Sequence, residues 1–186
     1  MRSPILCAFA LLLSAPACAQ DLEDDYVAVA WAFFIGEGET GARFAAKVVS
    51  ADLETLEGTW LDATHLFEPD DGIDAGYLAE ACGSDSVRLT IQQTSPLGFA
   101  TTSIHPVTSR PLTVRYQYLG FRSFQRVTDD KELREFIGLP EDSGVMADLY
   151  ASPFWSGTVE LFHPAPDILV LEPTAAAPEI WFRCPA

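Results

Sequence analysis

Leu112, Val114, Tyr116 and Tyr118 alternate with Thr113, Arg115 and Gln117, the two-residue period that puts one row of side chains on a core and the other in water. Gly120 supplies a turn, and residues 121–127 run back, with Arg122 and Arg126 flanking Phe124 on one face and Ser123 and Gln125 on the other. The pattern predicts a hairpin. Val87, Leu89 and Ile91 repeat the alternation upstream, and residues 99–104 follow a Ser95-Pro96-Leu97-Gly98 turn. Three further short strands are predicted over residues 158–162, 168–172 and 180–184, divided by turns at Pro164, Pro166, Pro173 and Pro178. Their connections are too short for crossover helices, so the fold class is mainly β: an antiparallel barrel or sandwich.

Helical signals interrupt this series. Thr128 or Asp129 caps a helix in which Glu132 completes a capping box, Leu133, Phe136 and Ile137 form the apolar stripe, and Gly138 with Pro140 ends it. Asp74 can cap a second, shorter helix over residues 75–82, stopped by Gly83. Phe44, Ala45, Val48 and Val49 favour a helix over residues 42–49. Residues 26–35 remain open between two readings. Val27, Val29, Trp31, Phe33 and Ile35 alternate as a strand would, whereas the alanines between them and the acids upstream suit a helix with a dipole-matched first turn.

Leu53, Leu56 and Trp60 fit a core at helical spacing. Gly58-Thr59-Trp60, following a short turn, also resembles the start of the first strand in lipocalin-like barrels, where a Trp closes the barrel floor beneath a short N-terminal turn. The resemblance covers three residues, which sit later in the chain than that family places them. If the sheet closes, Tyr116, Tyr118, Phe121 and Phe124 are expected to fill or line its interior, with room for a small apolar ligand.

Arg2, the apolar residues 5–13 and the small residues Ser14 to Ala19 read as a signal peptide cleaved before Gln20, leaving residues 20–186 as one β-rich domain. The apolar run is far shorter than the ~20 residues of a membrane-spanning helix. Lipidation at Cys18 is the competing reading, but the leucine expected three positions upstream is missing. The short leader has a bacterial character, which makes the expected location periplasmic or secreted. Cys7 and Cys18 leave with it, so Cys82 and Cys184 are expected to form a disulfide. Such a link closes a loop of about 100 residues, for which chain entropy gives about 4.7 kcal/mol. A redox pair would want a C-x-x-C spacing.

The formal net charge is −16, which repels nucleic acid and anionic membrane surfaces. Sixteen acids lie between Asp21 and Asp85 against Arg43 and Lys47, whereas Arg110, Arg115, Arg122, Arg126, Lys131 and Arg134 cluster together. That cluster suits internal charge balance or an acidic partner.

Catalytic motifs are lacking. The chain has three histidines. His65 lies near Asp62, Glu68, Asp70 and Asp71 but matches no metal-loop spacing, and His105 and His163 each precede a proline at a strand end. There is no Gly-x-Ser-x-Gly elbow, Ser-x-x-Lys, phosphate loop or dinucleotide fingerprint; Ser84, Ser86 and Ser156 are undistinguished. No catalytic residue, metal ligand or cofactor is therefore assigned. The expected function is non-enzymatic binding of a small apolar ligand, with Trp60, Tyr116, Tyr118 and Trp181 lining an aromatic interior. The alternative is a protein-interaction or inhibitor module using Arg115, Arg122, Arg126 and the Phe154-Trp155 loop. A hydrolase whose site is assembled from distant residues ranks third.

Overall fold

The computed structural model describes residues 25–29, 32–33, 50–63, 75–84, 88–141, 143–145, 148, 152 and 155–185. The leader, the helix expected over residues 42–49, His65, Ser86 and Phe154 lie outside them.

Eight strands form in chain order: β1 (Gly58–Asp62), β2 (Arg88–Ser95), β3 (Gly98–Ile104), β4 (Pro111–Gly120), β5 (Ser123–Thr128), β6 (Gly157–Ala165), β7 (Ile168–Pro173) and β8 (Glu179–Arg183). Each pairs antiparallel with its neighbour in sequence, and β8 pairs with β1, so the sheet is a closed barrel rather than a sandwich. Closure places Trp60 opposite Arg183 and Leu61 opposite Phe182. The predicted alternation holds: along β4, Leu112, Val114 and Tyr116 are buried inside while Arg115 and Gln117 are exposed. The β4–β5 hairpin turns through Phe121 and Arg122 rather than at Gly120 alone, and Phe121 adopts φ 53° with its side chain 92% exposed.

The apolar residues divide into two layers. Inside the barrel, Trp60, Leu89, Ile91, Phe99, Leu112, Tyr116, Phe124, Leu161, Leu169, Leu171 and Trp181 form the main core. A 3-10 helix, Ser50–Leu56, closes one end by inserting Leu53 and Leu56, both fully buried. Outside, helix α1 (residues 25–29) and helix α2 (Ala75–Cys82) cover the outer face of the sheet around β1 and β6 to β8. Tyr26, Val29, Phe33 and Leu78 pack there against Phe162, Val170, Ile180 and Phe182. The open question over residues 26–35 is thus resolved for 25–29, which are helical and flank the barrel. The double coverage explains why residues 168–171 of β7 read as a continuous apolar run, since both faces of that strand are buried.

Helix α3 (Asp130–Ile137) begins as the sequence predicts, with the Asp129 side chain accepting from the backbone N–H groups of Lys131 and Glu132. It ends at Gly138 in the left-handed region, φ 72°. Cys82 at the end of α2 is joined to Cys184 just after β8, across 102 residues of chain.

Candidate cavity at the open end of the barrel

Alternation along β8 sorts its side chains into two sets. Glu179, Trp181 and Arg183 share the inner face, while Ile180, Phe182 and Cys184 face the outer helices. The three inner residues lie at successive depths and perform different tasks.

Arg183 is at the closed end. Its guanidinium lies 4.3 Å from the centroid of the Trp60 ring and donates to the carbonyls of Thr55 on the 3-10 helix and of Glu57 just after it. The Trp60 indole donates to the Leu56 carbonyl at 2.8 Å. Trp60 therefore closes the floor of the barrel beneath the 3-10 helix.

Farther up, the lumen is crossed by an ion pair. Arg126 Nη2 on β5 meets Glu179 Oε1 on β8 at 2.9 Å, with 1% and 10% of the two side chains exposed. β6 and β7 separate these strands around the ring, so the pair forms a bar through the barrel interior. Tyr116 lies alongside, its ring centroid 5.5 Å from the guanidinium carbon. Burial pushes the Tyr116 phenol up to about 12, against the opposing pull of Arg126. Burial also raises the Glu179 carboxyl, Arg126 counteracts this, and Asp62 adds to the rise. Burial disfavours the Arg126 charge, yet Tyr116 and Glu179 leave the guanidinium above its ordinary range. On acidification the carboxylate is the partner that loses its charge.

On the closed side of this bar large aromatic side chains meet inside the barrel. Phe99 stacks on Tyr116 with centroids 4.4 Å apart and meets Phe124 edge-on at 5.4 Å. On the open side lies a cavity of about 430 Å³. Leu89, Leu112, Val114, Phe136, Trp155 and Trp181 give it apolar walls, and Thr101, Tyr116, Arg126 and Glu179 give it a polar inner end.

The rim is held by contacts between loops. Thr108 in the β3–β4 turn donates to the Phe136 carbonyl at 2.7 Å, and the His105 ring meets Phe136 edge-on at 4.9 Å. Thr128 donates to the Trp155 carbonyl at 2.6 Å. His105 Nδ1 accepts from the backbone N–H groups of Val107 and Thr108, a turn-forming arrangement. His163 lies by the closed end, its ring 6.5 Å from Trp60.

The sequence-derived candidates are thus separated by depth. Tyr116, Arg126, Trp155 and Trp181 line the cavity. Trp60 is 0% exposed in the floor, and Tyr118 packs on Phe124 at 5.4 Å, so neither reaches the cavity wall. Arg115 and Arg122 point outward and pair loosely with Glu132 at 3.9 Å and Glu160 at 3.7 Å. The hairpin arginines therefore do not form one face, and each meets a carboxylate of this chain. Nothing in the sequence analysis singles out Glu179 or Thr101, and Phe136 enters it only as part of a helix's apolar stripe. Glu179 could have been found, because it shares strand parity with Trp181 and so must enter the interior beside it.

Among the described residues no helix is long and apolar enough to cross a membrane. No protein family, no curated protein and no solved structure matches this chain.

Proposed function

We propose that this is a secreted or periplasmic binding protein, without enzymatic activity, that holds a small and largely apolar molecule at the open end of its barrel. The observation that carries this reading is the cavity of about 430 Å³. Eight-stranded barrels either fill their interior with side chains or keep room for one small ligand. This one does both, packed at the closed end and hollow at the other. Apolar and aromatic walls around a few convergent polar groups are the usual composition of a small-molecule site. The leader-like residues 1–19 and the Cys82–Cys184 disulfide support the location, since disulfides persist in oxidising compartments.

The test is native mass spectrometry of the protein purified from its own source, before and after mild denaturation. A retained small molecule, released on unfolding and absent from a cavity-filling Val114→Phe variant, is the expected result. A bare mass, together with no uptake of the apolar dye N-phenylnaphthylamine by either protein, overturns the reading.

A further inference from the structure

Resting on that binding reading, the charges around the cavity narrow the chemistry of the ligand. Arg126 and Glu179 are the charged side chains at the inner end of the cavity, and their opposite charges cancel; Asp62 and Arg88 also border it, Arg88 with its guanidinium turned toward the outer layer. The charges are also engaged within the protein. Arg126 and Glu179 pair at 2.9 Å, and the Arg88 guanidinium donates to the Cys82 carbonyl at 3.2 Å.

A carboxylate entering this space would gain Arg126 but also meet Glu179 and Asp62. An ammonium group would gain those acids but meet Arg126, which already holds Glu179 at 2.9 Å. Either ion would give up its hydration to compete for a pair whose charges already satisfy each other, which makes burying it costly. A hydroxyl or carbonyl group loses far less on leaving water, and a buried guanidinium–carboxylate pair offers it both donors and acceptors. The side chains nearer the mouth, Leu112, Val114, Phe136 and Trp155, suit a hydrocarbon or aromatic body.

We propose that the ligand is an uncharged amphiphile that enters polar end first, setting a hydroxyl or carbonyl group against the Arg126–Glu179 bar and leaving its apolar body between Phe136, Trp155 and Leu112. The inner residues act by polarity, and the outer ones by area.

Isothermal titration of the intact protein with decanol, decanoate and decyltrimethylammonium tests this, because the chain is constant and only the head group changes. Decanol is expected to bind at least tenfold more tightly than either ion. In Glu179→Gln, which leaves Arg126 without its carboxylate, the preference should shift toward decanoate by tenfold or more. Because that variant can unfold, Arg126→Met/Glu179→Gln is titrated beside it and is expected to lose at least threefold in decanol affinity while still taking up N-phenylnaphthylamine. Decanoate or the ammonium probe binding wild type as tightly as decanol overturns the uncharged ligand and leaves the binding reading standing. Unchanged decanol affinity in the double variant overturns the inward orientation. If neither the three probes nor the dye binds wild type, the binding reading and this inference fall together.

Discussion

The Arg183 guanidinium covers the Trp60 ring from 4.3 Å, and with that contact the last strand of the barrel is locked onto the first. The same side chain donates to the carbonyls of Thr55 and Glu57, so one residue holds the ring, the strand seam and the 3-10 helix. Arg183→Ala is expected to cost on the order of 2–4 kcal/mol, combining a partly desolvated cation–π contact with lost charge-assisted hydrogen bonds. Arg183→Lys should recover only part of this, because an ammonium cannot stack on Trp60 and bridge two carbonyls at once. Urea denaturation of the three proteins checks the order; a lysine variant as stable as wild type would refute it.

The Arg126–Glu179 bar predicts a different pattern. Removing one partner strands a charge in the barrel, so Arg126→Met alone should destabilise by roughly 3–5 kcal/mol. Arg126→Met/Glu179→Gln removes both charges and should lose clearly less than the sum of its single variants. A double-mutant cycle by chemical denaturation measures the coupling, and additive losses would show that the pair does not act as a unit.

Tyr116 links stability to alkaline pH. Its phenol ionises near 10 when unfolded and only at about 12 in the folded protein. Between those values the unfolded chain has released a proton that the folded one keeps, so stability falls as pH rises. The full loss is roughly 3 kcal/mol. Tyr26, also raised to about 12 by burial, acts in the same direction. Tyr116→Phe should therefore flatten the decline above pH 10 without abolishing it, as followed by denaturation midpoints from pH 8 to pH 12. An unaltered slope would exclude Tyr116 as its source.

Cys82→Ser/Cys184→Ser should cost about 4–5 kcal/mol, since the disulfide restrains a long unfolded loop. Reduction of wild type should give the same loss of denaturation midpoint. A midpoint unchanged by reductant would show that the link contributes nothing to stability.

How much of this was legible in the sequence followed the physics of each signal. Period-two alternation identified β2 and β4 because each has one wet face, and the cap residues Asp129 and Gly138 delimited α3. The pairing of Cys82 with Cys184 followed from elimination once the leader was set aside. Residues 26–35 stayed ambiguous because small alanines between large apolar residues satisfy both periods, and only the packing of Tyr26 and Val29 on the outer sheet decides for a helix at 25–29. The cavity depended on information that no local pattern holds. Whether Trp60 or Trp181 borders empty space depends on how deep each sits, and depth is set by the register with which eight strands close. Arg126 likewise looked like one member of a basic cluster, because its partner Glu179 lies 53 residues away and on the other side of the lumen.

The order of the strands also has a kinetic consequence. Seven of the barrel's strand pairs join neighbours in sequence, and the β1–β8 seam is the single pairing that must bridge most of the domain. Long-range closures of this kind are the slow step in β-topologies. Three contacts latch that seam from residues 183 and 184: Arg183 over Trp60, Cys184 to Cys82, and the Cys184 N–H bonded to the Thr59 carbonyl at 2.9 Å. Until residues 179–184 pair, β1 and β7 each keep an unpaired edge, and an open sheet of this kind is able to add a foreign strand. Residues 179–184 thus decide when an open sheet becomes a closed ring.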